Sequence, residues 1–296
     1  MIYTCTCNPS LDYYLSLNEL KKGDLNRSDF ELYAVGGKGV NVSIILNNLG
    51  IRSVALGFLG GFIKNFYLSS LDQYKLIQPG FTNIEGNSRI DVRLMENIET
   101  TINASGPLIT KEEFQKFRNK LRNLYDDDIF VLSGNVEDSI EDDMIALVRD
   151  LAREGLRIFL DTNRRIIDEC ASDGIYFVRL AKEDVEEDEK AADLMKTLYE
   201  KGVKNVLYGQ RKEPILFLTE GKMFESSFLI DEHISDVSSI SSLIGGYLYS
   251  LLKGGDIMEC FRYGIASCLV TALSDIRTTQ DQIKAVFDRV SYREIV

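Results

Sequence analysis

Two short polar motifs near the start of the chain combine residue types that bind hydroxyl and phosphate groups. One follows an apolar run and reads Asn8-Pro9-Ser10-Leu11-Asp12; the other, Gly36-Gly37-Lys38-Gly39-Val40-Asn41, opens a segment with helical spacing. The side chains of Asp12 and Asn41 can each bind hydroxyl groups in a bidentate manner. Glycines let the backbone approach a ligand, and amides at a helix start together with Lys38 neutralise a phosphate. The two motifs together predict a pocket for a small phosphorylated sugar.

Further candidates stand where later apolar segments end. Gly57-Phe58-Leu59-Gly60-Gly61 ends one segment, and Ser88-Arg89 begins an alternating one, so that Arg89 would add a second positive charge to the pocket. Taken singly, the glycine clusters also suit tight turns, and Lys38 and Arg89 also suit a solvated surface. The residues at the segment ends that are candidates for the site are Asn8, Gly57, Ser133, Gly134, Asp161 and Gly209.

The order of the apolar segments predicts an α/β fold with a doubly wound, mainly parallel sheet and helices on both faces. Short apolar runs such as Ile129–Leu132 alternate with helical segments such as Met144–Leu151. Ligands of such sheets bind beyond the carboxyl ends of the strands. An alternating pair of segments, Ser88–Met95 and Glu99–Asn103, interrupts this order and predicts a hairpin. We assign it, with a strand from Asp12, to a small accessory sheet.

Composition limits the classes of partner. The chain has 296 residues and a net charge of −12, so nucleic acid and anionic membrane surfaces are disfavoured. We recognise neither a signal segment nor an apolar stretch long enough to span a membrane, and we expect a cytoplasmic protein. The five cysteines show no CxxC spacing and are expected to be buried, reduced thiols. A single histidine, His233, cannot build a histidine metal cluster, so no metal site of this kind is predicted.

Taken together, these motifs resemble those of the ribokinase-like (PfkB) carbohydrate kinases, in the branch of 1-phosphofructokinase and tagatose-6-phosphate kinase. The likeness rests on NPxxD, GGKGxNVS, GFLGG and the strand led by Arg89, which occur in that order, and on Leu132-Ser133-Gly134. The ending Ser291-Tyr292-Arg293-Glu294-Ile295 is also similar. The resemblance implies a single domain over residues 1–296, with lid strands at about 11–35 and 86–106 that close over the sugar and often make homodimer contacts.

The resemblance also implies a reaction, a substrate and cofactors. The family transfers a phosphoryl group from ATP, with Mg²⁺, to a sugar, and here the substrate would be a ketohexose phosphate such as tagatose 6-phosphate or fructose 1-phosphate. The residues implied to bind it are Asn8, Asp12, Gly36, Gly37, Lys38, Asn41, Arg89 and Ser133.

The chain departs from the family on the nucleotide side. Where the family has G-A-G-D with its aspartate base, the chain reads Val237-Ser238-Ser239-Ile240-Ser241-Ser242, which we interpret as a loss of about three residues including the aspartate. The family's K-P-N-x-x-E appears as Arg179-Leu180-Ala181-Lys182-Glu183-Asp184, without the asparagine. Of the S-x-G-x-x-G loop only Gly209 is retained, as a candidate nucleotide contact. Among the carboxylates at strand ends, Asp161 is the candidate substitute for the base.

Three hypotheses remain open from the sequence. The protein could be an active kinase with an unrecognised base, a pseudokinase that binds a sugar phosphate in a regulatory role, or a scaffold that keeps only the fold. The retained sugar-side residues and the altered nucleotide-side motifs favour impaired catalysis. The notable contrast is that Lys38 and Arg89 are present while the family's aspartate is not.

Overall fold

The computed structural model describes residues 1–96, 99–124, 126–185, 190–209, 214–229, 236–273 and 278–295. His233 and the loop residues 210–213 lie outside these ranges, so the expectations for them stay predictions. Within the described part, no helix combines the length and the apolar character needed to cross a membrane.

Strands of the described part form a large central sheet and a small second sheet. Along the chain they are β1 (Ile2–Thr6), β2 (Ser10–Ser16), β3 (Phe30–Val35), β4 (Ser53–Gly60), β5 (Ile77–Pro79), β6 (Thr82–Ile84), β7 (Arg89–Met95), β8 (Thr100–Ile102), β9 (Ile129–Ser133), β10 (Arg157–Asp161), β11 (Phe177–Leu180), β12 (Asn205–Tyr208), β13 (Pro214–Thr219), β14 (Lys222–Leu229) and β15 (Tyr292–Glu294).

The central sheet is mainly parallel, as predicted. Its order is β15-β14-β13-β12-β11-β10-β9-β1-β4-β5, and β6 also pairs with β4. The pairs from β12 to β5 and β6 are parallel, whereas β13, β14 and β15 add an antiparallel edge. The strand order changes direction around β1, which lies between β4 and β9. In sheets of this kind a crevice for ligands opens at such a switch point, beyond the carboxyl ends of the strands.

Helices cover both faces of the central sheet. They are α1 (Lys38–Asn48), α2 (Lys64–Leu71), α3 (Lys111–Lys120), α4 (Glu141–Arg153), α5 (Arg164–Cys170), α6 (Ala191–Lys201), α7 (Asp236–Leu252), α8 (Ile257–Leu273) and α9 (Gln280–Phe287). Strand β9 shows why both faces are apolar. Ile129 and Val131 join the core shared with α1, α7 and α8, while Phe130 and Leu132 join the opposite core with α3 to α6. A strand buried on both faces is continuously hydrophobic because successive side chains point to opposite sides.

The second sheet, of order β3-β2-β7-β8, contains the strands predicted to form the lid and is called the lid from here on. Strand β7 pairs antiparallel with β8, as the predicted hairpin requires, and parallel with β2, the strand predicted from Asp12. Strand β3 completes the sheet and returns the chain to Gly36. The lid thus has its root where two of the predicted binding motifs lie. The division into one domain with an inserted lid stays a prediction.

Helix α7 includes the segment that was compared with the family's G-A-G-D. It runs from Asp236, so Ser238–Ser242 are helical and do not form a turn. The helix is held closely on two sides by small residues. A Cβ on Gly245 would lie 2.7 Å from Ile45 Cγ2 of α1, and one on Gly246 would lie 2.8 Å from the carbonyl oxygen of Tyr263 on α8. These contacts fix α7 between its two neighbours.

We predict that Gly246→Ala destabilises the protein. The added methyl group would lie 2.7 Å from Ser267 Cβ as well as against the α8 backbone, so the helices must separate, at a cost of about 1–3 kcal/mol. Urea unfolding measures the change. Leu252→Ala, at the exposed end of α7, is the control and should alter the free energy of unfolding by no more than about 0.5 kcal/mol. A variant as stable as the parent would contradict this packing.

Candidate functional site

The glycine-rich motif forms a tight connection between the lid and helix α1. Gly37 has φ of 120°, a conformation that side chains disfavour, and it precedes Lys38, the first residue of α1. A Cβ on Gly36 would overlap Asp12 Oδ1 and lie 2.5 Å from Ser10 Oγ. The Gly36 carbonyl accepts a hydrogen bond from Tyr67 Oη at 2.7 Å. The glycines are therefore required because the first motif packs directly against the second.

Asp12 is buried on the lid beside the glycine-rich motif. Its Oδ1 accepts a hydrogen bond from Ser10 Oγ at 2.6 Å, and its Oδ2 forms an ion pair with Arg93 Nε at 3.0 Å. An ionised carboxylate has about four acceptor positions, so each oxygen can still accept from a ligand hydroxyl. Asn41 lies on the first turn of α1, partly exposed, and no hydrogen bond of its side chain is observed within the described residues.

Arg89 and Asn8 meet at the root of the lid. The Arg89 guanidinium donates from Nε to the Asn8 carbonyl at 3.3 Å and from Nη1 to the Ala104 carbonyl at 3.2 Å. Asp91 faces Arg89 Nη1 at 3.3 Å and accepts from the Ala104 N–H at 3.1 Å. Burial raises the pKa of Asp91, whereas Arg89 and this N–H act in the opposite direction. Asn8 Nδ2 donates to the Ser105 carbonyl at 2.7 Å, which ties the connection between β1 and β2 to the segment that follows β8.

The glycine-rich end of β4 places Arg89. The Gly60 N–H donates to Ser88 Oγ at 3.0 Å, and the Ser88 N–H donates to the Gly60 carbonyl at 3.2 Å. Gly57 has φ of 147° and lies against β1, where a Cβ would overlap the Thr6 carbonyl. The GFLGG motif therefore has a structural role, because Gly60 holds Ser88, the residue immediately before Arg89.

A buried charge cluster joins the ends of β9, β10, β11 and β12. Asp161, only 2% exposed, accepts a hydrogen bond from Ser133 Oγ at 2.7 Å and faces Arg179 Nη1 at 3.2 Å. Lys38 Nζ lies 3.8 Å from the same carboxylate. Arg179 Nη2 also donates to the Gly209 carbonyl at 3.0 Å. Two cations therefore share Asp161, so the carboxylate holds charges in place and has little access to a substrate hydroxyl.

The segment that replaces the family's K-P-N-x-x-E turns its acidic group inward. Asp184 accepts a hydrogen bond from the Ala181 N–H at 2.6 Å and so caps its own turn. Burial raises the pKa of Asp184, while this hydrogen bond and Arg179 lower it. Across the described residues, no three His, Cys, Asp or Glu side chains are grouped closely enough to hold a metal ion by themselves. Ala181 offers no side-chain ligand atom where the family has asparagine, and Asp184 uses one carboxylate oxygen to cap its own turn.

The structure brings most of the predicted residues to one edge of the sheet. Asp12 contacts the Gly36 position, Lys38 and Ser133 meet at Asp161, and Arg89 meets Asn8. Three charged residues that bind these side chains were not assigned from the sequence: Asp91, Arg93 and Arg179. The spacing of Arg89, Asp91 and Arg93 was a usable signal, because every second residue of a strand faces the same side.

We predict that Asp161 acts as a buried counter-ion, so Asp161→Asn should destabilise the protein by about 3–5 kcal/mol. The variant would leave Arg179 without its carboxylate partner in a buried position. Urea unfolding measures this. Asp142→Asn is the matched control, because Asp142 is 84% exposed in its ion pair with Arg165 and should contribute about 1 kcal/mol or less. Equal small effects for both variants would contradict the assignment.

Comparison with known proteins gives a consistent result. Residues 7–282 match the model of the pfkB family carbohydrate kinases. The chain is 28% identical to a 1-phosphofructokinase of Borreliella burgdorferi, over 100% of this chain and 99% of that protein, and 28% identical to a D-tagatose-1-phosphate kinase of Bacillus licheniformis, over 93% of each. The structure of phosphofructokinase-2 from Escherichia coli, solved with substrates and products, superposes with a TM-score of 0.88 at 17% identity, over 97% of this chain and 98% of that one, which shows a common fold. Because the family model matches nearly the whole length of this chain, the chain belongs to the pfkB family of carbohydrate kinases.

Proposed function

We propose that this protein binds a phosphorylated ketohexose, such as tagatose 6-phosphate or fructose 1-phosphate, and that its transfer of phosphoryl groups from ATP is impaired or lost. The observation that carries the proposal is an asymmetry of charge at the carboxyl edge of the sheet. On the lid side Lys38 and Arg89 keep donors toward the cleft. On the nucleotide side Arg179 is buried, and its Nη1 and Nη2 are bound by Asp161 and the Gly209 carbonyl.

The sugar side has the chemistry that a phosphorylated sugar needs. The side chains of Lys38 and Arg89 are 31% and 21% exposed, so a phosphate can reach them. Arg89 uses Nε and Nη1 for protein contacts, and within the described residues no contact of its Nη2 is observed. Asp12 keeps acceptor positions for hydroxyls, and Asn41 keeps its side-chain amide. Cations for the phosphate and polar acceptors for the hydroxyls are thus both available, which supports binding of this ligand class.

The course of helix α7 indicates which residue stands at the position of the family's aspartate base. Its uninterrupted course favours an alignment without a deletion, in which the family's G-A-G-D falls on Ser238-Ser239-Ile240-Ser241. The position of the aspartate is then Ser241, a fully buried residue. Backbone N–H groups from Ile240 onward also bond within the helix, to carbonyls four residues earlier, and so are not free to bind an anion.

Typical rate factors indicate how much these changes would slow phosphoryl transfer. A general base contributes typically about 10²–10⁴ in rate and an oxyanion donor about 10²–10³. A kinase of this general type turns over at roughly 1–100 s⁻¹, so losing both contributions would leave at most about 10⁻² s⁻¹. Membership of the family implies use of ATP and Mg²⁺. Ala181 lacks the ligand atom of the family's asparagine and Asp184 caps its own turn, so we derive no step through the metal.

An active kinase is the second candidate. It is favoured by the relatives named 1-phosphofructokinase, which this chain matches along nearly their whole length. It requires a base other than Asp161, whose contacts are taken by Ser133, Lys38 and Arg179. The two candidates differ in turnover and not in sugar binding. The five cysteines are buried and form no disulfide, which fits the reducing cytoplasm that we expect for either.

We predict binding without turnover. Calorimetry with fructose 1-phosphate and tagatose 6-phosphate should detect binding of at least one, and Lys38→Ala and Arg89→Ala should each weaken it about tenfold or more, since each removes a charged donor to the phosphate. Lys222→Ala removes a cation that pairs with Glu294 on the antiparallel edge of the sheet, and it should stay within about twofold of the parent.

The same proteins with Mg·ATP and millimolar sugar phosphate give the turnover. ADP release should stay below about 10⁻² s⁻¹. Turnover at about 1 s⁻¹ would establish the active kinase instead. Absence of binding to either sugar phosphate, or equal affinities in all four proteins, would favour the scaffold hypothesis.

We also propose that two copies associate through the lid. Phe30, Leu32 and Met95 lie on one face of the lid sheet and are exposed, Phe30 by 62%. This apolar tip continues the face that carries Asp12 and Arg93. Exposed apolar side chains that lie next to each other are typical of a protein interface, and a second copy of the chain would bury these three.

Sedimentation of the protein should therefore show a dimer, and Phe30→Asp should shift it toward the monomer because a carboxylate would be buried in the interface. Leu108→Asp is the control, since Leu108 is 80% exposed and lies outside the four lid strands, so this variant should remain dimeric. A parent protein that sediments as a monomer would contradict the proposed association, as would a Phe30→Asp dimer of unchanged stability.

A further inference from the structure

The face of the lid that contains Asp12 carries charged residues in register on neighbouring strands. Strand β2 presents Ser10, Asp12 and Tyr14, and these lie directly beside Arg89, Asp91 and Arg93 of β7. Because side chains alternate along a strand, all six point to the same face. Two acidic and two basic groups therefore alternate within a small buried area, and the arrangement of each one depends on its neighbours.

Arg93 has the largest number of partners on this face. Its side chain is only 10% exposed, and its Nε lies 3.0 Å from Asp12 Oδ2 while its Nη1 lies 3.0 Å from Glu99 Oε1. The guanidinium carbon also lies 5.7 Å from the centre of the Tyr14 ring, within the range of a cation–π contact. Burial by itself lowers the pKa of Arg93, but the Asp12 and Glu99 carboxylates outweigh it and the pKa is raised, so Arg93 stays charged.

The geometry of Asp12 follows from this contact. Ser10 Oγ fixes one carboxylate oxygen and Arg93 Nε fixes the other, so the side chain has one orientation against Gly36. A carboxylate held in this way loses less conformational freedom when a hydroxyl binds it.

We propose that Arg93 is a positioning residue: it holds Asp12 in the orientation that binds the sugar hydroxyls. This inference rests on the proposed sugar-phosphate binding. It predicts that Arg93 affects the sugar part of the ligand and not the phosphate part, because Lys38 and Arg89 do not depend on its contacts.

The test compares fructose 1-phosphate with inorganic phosphate, each measured by calorimetry on the full chain. Arg93→Met keeps most of the side-chain volume and removes the charge, and it should weaken binding of fructose 1-phosphate about tenfold or more while changing that of phosphate by less than about twofold. Arg93→Lys restores a charge near Asp12 and should recover part of the loss. Arg149→Met, which removes an ion-paired arginine of α4 outside the lid, should leave both affinities unchanged.

The ratio of the two affinities separates positioning from general damage. Equal losses for fructose 1-phosphate and phosphate in Arg93→Met would overturn the proposal, as would unchanged binding of both. If Arg93 had a purely structural role, Arg93→Met would lower the melting temperature but would leave the ratio of the two affinities unchanged. Arg93→Lys would then not recover the affinity for fructose 1-phosphate selectively.

A second measurement needs no ligand, so it distinguishes this inference from the proposed function. In a cycle of Arg93→Met, Asp12→Asn and the double variant, the shifts in melting temperature should be less than additive, because each single change leaves the other group without its partner. Additive shifts would show that the ion pair is absent in solution and would overturn the inference. Coupled shifts in a parent that binds no sugar phosphate would instead refute the proposed function, and the positioning role with it.

Discussion

A single buried carboxylate, Asp161, determines how positive charge is distributed along the carboxyl edge of the sheet. It lies 3.2 Å from Arg179 and 3.8 Å from Lys38, with Ser133 donating to its other oxygen. Arg179 is almost fully buried, so it requires this partner, whereas Lys38 is partly exposed and does not. The carboxylate therefore retains Arg179 inside the protein, whereas Lys38 stays partly exposed at the same edge, as its proposed role in binding an anion requires.

The same distribution explains why the two halves of the cleft differ. Arg179 also donates to the Gly209 carbonyl, so the ends of β10, β11 and β12 are connected by one guanidinium. On the lid side, Asp91 and Asp12 hold Arg89 and Arg93 through single contacts at 3.0–3.3 Å and leave further donors and acceptors available. Under the proposed function the partly exposed Lys38 and Arg89 would bind the ligand, whereas Arg179 is buried and its Nη1 and Nη2 are bound by the protein.

Much of the fold and of the sugar side could be predicted from the sequence, because the signals there are local. The apolar run at Ile129–Leu132 and the glycines at Gly36 and Gly37 each reflect a constraint of their own backbone or burial. The charged residues that pair with the predicted site residues were harder to predict from the sequence. Arg179 meets Asp161 through strand pairing, and a contact between residues 18 apart in sequence is set by the sheet and not by neighbours along the chain. Asp91 and Arg93 could have been placed by their alternation with Arg89.

The start of helix α7 shows a different limit. Serine, valine and isoleucine have only moderate helix propensity, so the segment from Val237 to Ser242 gives no strong local signal for a helix. Packing decides it instead: Ser241, Ser242 and Leu243 are fully buried, and Gly245 and Gly246 let α7 approach α1 and α8 closely. Most helical stability in proteins comes from such burial and not from propensity. A glycine-rich turn at this position would present free amides, and its replacement by serines and isoleucine allows the helix to continue through it. Under the proposed alignment, the extension of α7 would remove the base and the turn with free amides together.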